Sequence, residues 1–195
     1  MRLNLKRIIV ALAVVVLLGS GSAFASSPNP STAAPGKDRV SKYLSGRAST
    51  LLTEIQQETA ALRPHADTLG TFARNTQYSW QSHANYLDRV KGHINAVGER
   101  IAELQRIRHA LLPWQQQAIT GVTSHAAQVA ASTQAAILHL RENQNYLFAP
   151  EYTDHLTMIA DRSEDMKQTV DKFLDYGKTQ QKLQRLQTEL ELVGG

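Results

Sequence analysis

The chain has no cysteine. Disulfides, thiol catalysis, Cys-ligated zinc, iron–sulfur clusters and covalent haem attachment are therefore excluded, and stability has to come from a buried core. Proline is scarce and unevenly placed: three of the six prolines, Pro28, Pro30 and Pro35, fall in one short stretch, so the remainder can run as long helices. No useful length of strand-like alternation occurs. There is no G-x-S-x-G and no glycine-rich phosphate loop, so no enzyme is expected. An excess of one charge is also missing. Of 21 basic and 17 acidic residues, three basic ones lie in the first 25 positions, so the rest of the chain carries +1. Such a chain has no electrostatic footprint for nucleic acid or an anionic membrane.

What is present begins with residues 1–25. Arg2, Lys6 and Arg7 precede an apolar run, Ile8 to Leu18, and small residues then lead to Ala23-Phe24-Ala25. This is the order of a cleavable secretory signal peptide, and it predicts a periplasmic or secreted bacterial protein. The alternative is retention as an N-terminal anchor. The run is shorter than the ~20 residues of a membrane span, and no second apolar run follows, so no transmembrane segment is expected after cleavage. Residues 26–36 (SSPNPSTAAPG) read as a disordered Pro/Ser/Ala linker. Residues 37–195 read as a single helical bundle domain.

Four segments carry helical periodicity. The first, Lys37 to Ala73, has the stripe Leu44, Ala48, Leu51, Ile55, Thr59, Leu62, Ala66, Leu69 and Ala73, with Pro64 expected to kink or break it. The second, Tyr78 to Leu111, has Trp80, His83, Leu87, Val90, Ile94, Val97, Ile101 and Leu104, a heptad seam of helices packed side by side. The third, Pro113 to Gln144, has Ile119, Val122, Ala126, Val129, Thr133, Ala136 and Leu140. The fourth, Pro150 to Leu192, has Tyr152, Leu156, Ile159, Ser163, Met166, Val170, Phe173 and Gly177, then Leu183, Leu186 and Leu190. The second and third segments form either a tight hairpin, favoured by their similar lengths, or one kinked helix. The expected fold is all-α: an elongated antiparallel bundle of about four long helices with coiled-coil-like packing.

Candidate sites are few. His83 falls on the seam beside Trp80 and reads as a core histidine with a hydrogen bond rather than a ligand. His139 with Glu142, and Glu151 with His155, flank the junction of the last two segments; together they are the candidate metal ligands, for zinc or copper. Trp80 and Trp114, the latter after Pro113, read as end plugs of the core. Gly177 on a seam position marks either a close helix approach or a bend. No cofactor is expected. The leucine stripe past Gly177 either packs back on the first segment or pairs with a second copy.

Trp-Gln-Ser-His-Ala at 80–84, Pro-Trp-Gln-Gln at 113–116 and Asp-Tyr-Gly-Lys at 175–178 resemble segments of a group of uncharacterised secreted bacterial helical proteins. That resemblance implies an all-helical fold and export, and no activity. Leu52-Thr53-Glu54-Ile55-Gln56 is similar to the L-T-x-x-Q motif of periplasmic stress chaperones of the Spy and CpxP kind. Those carry the motif twice; here Leu156-Thr157-Met158-Ile159-Ala160 lacks the glutamine. The leading expectation is an exported, non-enzymatic interaction protein of the bacterial cell envelope whose partner is a protein or envelope component. A chaperone for unfolded clients and a metal- or small-ligand-binding bundle are the alternatives.

Overall fold

The computed structural model describes residues 35–193 apart from Thr76. The expected signal peptide and residues 26–34 of the expected linker lie outside the described residues. Four helices follow in order: α1 (Pro35–Phe72), α2 (Trp80–Ile107), α3 (Pro113–Glu142) and α4 (Pro150–Val193). Among the described residues there is no strand, and no helix is long and apolar enough to cross a membrane. The helices pack antiparallel in a ring, each against the next, with α4 closing onto α1. The fold is an all-α four-helix bundle.

Each connection has a local cause. Ser79 caps α2, its hydroxyl accepting the Ser82 N–H. After α2, one 3₁₀ turn (Arg108–Ala110) and two extended residues reverse the chain, and Pro113 opens α3 at a position where its missing N–H costs nothing. The second and third segments are therefore a hairpin, not one kinked helix. Pro150 opens α4 in the same way.

The heptad seams are the core. Leu87, Val90, Ile94, Val97, Ile101 and Leu104 of α2 are buried, as are Ile119, Val122, Ala126, Val129, Ala136 and Leu140 of α3. Three polar seam residues are also buried, and each satisfies its hydroxyl within its own helix: Thr59 donates to the Ile55 carbonyl, Thr133 to Val129 and Ser163 to Ile159, at 2.6–2.7 Å. The small residues of α3 let α4 approach closely. A Cβ added at Gly121 would stand 3.0 Å from the Thr169 methyl.

Four details differ from the sequence reading. Of the kink or break expected at Pro64, the break does not occur, since α1 is one helix from Pro35 to Phe72; Pro64 and Ala60 both face solvent, so the carbonyl that loses its N–H partner remains open to water. Phe72, not Ala73, ends the α1 seam, and Leu174 rather than Phe173 is the buried one of that pair on α4. Trp80 is 37% exposed: as the first residue of α2 it sits outside the end of the core instead of plugging it. Finally, Leu183, Leu186 and Leu190 are exposed. Helices α2 and α3 have 28 and 30 residues and α4 has 44, so α4 outruns them by about 20 Å at 1.5 Å per residue.

Candidate functional site

Each end of the bundle is tied by a buried polar contact between helices that are not neighbours in the ring. At the end where α1 stops and α2 begins, His83 of α2 is 1% exposed and Tyr152 of α4 is fully buried. Nδ1 of His83 lies 2.8 Å from the Tyr152 hydroxyl. Phe72 packs on the imidazole and His139 stacks on the phenol ring, with ring centroids 4.7 and 4.8 Å apart. Burial pushes the His83 imidazole down to about 4 and the Tyr152 phenol upward. Both groups are neutral at pH 7, hydrogen-bonded to each other and sealed from solvent. A sealed, neutral pair is suited to holding α2 against α4.

At the opposite end Gln115, in the first turn of α3, is fully buried and uses its whole amide. Its oxygen accepts from the Leu112 N–H and the Ser45 hydroxyl, each at 3.2 Å. Its nitrogen donates to the Ser45 carbonyl at 2.9 Å and the Ser49 hydroxyl at 3.2 Å. The same side chain thus caps α3 and ties it to α1.

Beside Gln115 the molecule opens a cleft of about 520 Å³ between α3 and α4. Pro113 and Trp114 form one wall, Phe173 and Tyr176 the other, with Thr169, Lys172 and Gln117 around them. Trp114 lies flat on α4 because position 177 has no side chain: a Cβ there would be 2.7 and 2.9 Å from the indole carbons Cη2 and Cζ2. Gly177 is therefore a close-approach glycine, within a helix that continues to Val193.

No protein-family model, curated protein or solved structure matches this chain.

The four candidate metal ligands are not gathered into a site. Among the described residues there is no group of three or more His, Cys, Asp or Glu side chains able to hold a metal ion. His139 is engaged otherwise, stacked on Tyr152 with Nε2 donating to the Tyr146 carbonyl at 3.1 Å. Glu142 and Glu151 face solvent. Spacings of three and four along one helix put two side chains on one face, but do not bring two helices' faces to a common point. In the L-T-x-x-Q segment Leu52 is core, and Gln56 donates to Asp171 on α4 at 2.6 Å. Lys167 reaches the same carboxylate, and the two hold Asp171 below the usual carboxylate range.

The cleft gives a direct test of the role of Gly177. In Gly177→Ala the new methyl displaces the Trp114 ring toward solvent. Helix propensity gains up to ~1 kcal/mol against that displacement, so stability should change little. The Trp114 emission should shift to the red, read in a Trp80→Phe background; an unshifted spectrum contradicts the contact.

Proposed function

We propose that this chain is an exported, non-enzymatic interaction protein of the bacterial cell envelope that works through the outer face of its helices. The observation that carries this reading is the apolar surface at one end of the bundle. Tyr176 in the aromatic cleft, and Leu183, Leu186 and Leu190 on the projecting part of α4 next to it, are 45–72% exposed. Apolar residues grouped in this way mark interaction surfaces more often than scattered ones do. Export is supported by the charged, apolar and small-residue order of residues 1–25. A non-enzymatic role is supported by the state of the buried polar groups, since His83, Tyr152 and Gln115 are turned inward and hydrogen-bonded.

A second reading, transient binding of unfolded clients, draws on the same exposed apolar surface and on Leu52, Thr53 and Gln56. One experiment separates the two. The full chain is expressed in a Gram-negative bacterial host, the envelope fraction is collected and the N-terminus of the product is sequenced; the product is then tested for suppression of the aggregation of a denatured client. Cleavage after Ala25 with no suppression is the expected result. Suppression at stoichiometric ratio moves the assignment to the chaperone reading. Retention of the uncut chain in the cytoplasm overturns both.

A further inference from the structure

The leucine face of α4 is not the end of the bundle's own seam. Advancing about 100° per residue from the buried positions Ile159, Ser163, Met166, Val170 and Gly177, the core-facing side continues through Gln181, Gln184, Thr188 and Glu191. All four are polar and exposed. Leu183, Leu186, Leu190 and Val193 lie roughly 120–180° round the helix from that side, with exposures of 49, 45, 72 and 88%. The projecting helix therefore changes its apolar face after Gly177. Helix α1, 38 residues long, runs antiparallel to α4 with Gln56 against Asp171 and Arg63 against Glu164, so its first turns reach the same end, and the leucines nonetheless stay exposed.

This second face has a register of its own. Tyr176, Thr179, Leu183, Leu186, Leu190 and Val193 are spaced three, four, three, four, three, which is a coiled-coil seam. Its flanking charges are graded along the chain: Lys178, Lys182 and Arg185 come first, Glu189 and Glu191 last. We propose that the projecting end of α4 pairs with the same segment of a second copy of this chain, antiparallel. Leu183 then meets Leu186 of the other copy, Thr179 meets Leu190 and Tyr176 meets Val193, each twice by symmetry. In that register Lys182 of each copy, which directly precedes a core leucine, faces Glu189 of the other, which occupies the equivalent flanking position. Parallel pairing instead places Lys182 beside Gln187 and sets the three cations of one copy alongside those of the other.

The remaining terms agree. The bundle already nucleates α4, so the projecting turns do not bear the cost that makes short isolated helices marginal. The overlap is about 27 Å at 1.5 Å per residue. Such a seam is near the lower bound of ~1,000 Å² for a specific interface, so association should be reversible and concentration-dependent. The pairing needs neither export nor an envelope partner, so it stands or falls independently of the proposed function.

Sedimentation velocity tests it on the protein as recovered from a bacterial host, with or without its first 25 residues. The expected result is a shift from monomer to dimer over a roughly hundredfold range of concentration. Leu183→Asp with Leu186→Asp alters only exposed positions, so helicity by circular dichroism is retained and the dimer is lost. Lys182→Glu and Glu189→Lys should each weaken the dimer about tenfold or more, and an equimolar mixture of the two should restore it, since each then meets the opposite charge. A monomer at every concentration overturns the proposal, as does a dimer that survives the double aspartate variant. A mixture that fails to associate, or charge variants that dimerise unaided, overturns the antiparallel register.

Discussion

Lowering the pH from 7 to about 4 is expected to remove about 3 kcal/mol of folding stability, about two thirds of it above pH 5, where most carboxylates are still ionised. The cause is His83. In the unfolded chain its imidazole takes a proton near pH 6.5, whereas burial against Phe72 and Tyr152 pushes it down to about 4 in the bundle. Between those values the unfolded state binds the extra proton, so stability is complete above about 6.5 and falls as the pH drops toward 4. Two and a half units at about 1.4 kcal/mol each give the stated size. His65 is also lowered, by partial burial first and then by Arg89 and His93, and acts in the same window with the same sign. Asp171 works lower down: its depressed carboxyl contributes stability that is lost only as the pH falls below its ordinary value of 3.8. Urea unfolding at several pH values checks this. His83→Phe should flatten the curve between 6.5 and 4 apart from the share of His65, while leaving the drop below pH 4 in place. A slope unchanged in His83→Phe would place the titrating group elsewhere.

Replacing Gln115 with leucine, a side chain of similar volume, should cost about 2–4 kcal/mol and lower Tm by about 5–15 °C. The substitution leaves the apolar packing nearly intact. It removes four hydrogen bonds, leaving the Leu112 N–H and the Ser45 hydroxyl without the partner they share, while the Ser45 carbonyl keeps the Ser49 hydroxyl. Such stranded groups are what make buried networks costly to break. Gln117→Leu, two residues along and exposed on the cleft, is the matched control and should change stability by no more than ~0.5 kcal/mol. Thermal unfolding of both variants decides the matter; equal, small losses would mean that Gln115 is not a tie.

The seams were legible in the sequence because burial repeats with the helix: one apolar residue every three or four positions fixes the inward face without knowledge of the neighbour. The same periodicity placed His83 on the core side of α2. It said nothing of Tyr152 as its partner, because the contact crosses the bundle between residues 69 apart. Gln115 was hidden for the same reason. In Pro-Trp-Gln-Gln nothing distinguishes Gln115 from Gln116 until Ser45 and Ser49 arrive from α1. Leu174 and Phe173 are adjacent apolar residues, and their spacing alone does not say which of the two turns inward. Gly177 left two readings open until Trp114 occupied the space above it. The candidate metal ligands failed on convergence, which spacing along single helices does not report. Trp80 failed on length: α2 starts at that residue, so no turn of core lies beyond it for the ring to cover.

Four antiparallel helices return the chain to the end from which it set out. Pro35 and Val193 therefore leave the bundle on the same side as the α2–α3 turn, where the cleft and the leucine face are also found. A tag, tether or fused domain joined directly at Pro35 or Val193 is delivered to that side, beside the cleft and the leucines. The far side carries the two other connections, residues 73–79 and 143–149, and reporters placed in those connections leave the cleft and the leucine face unencumbered.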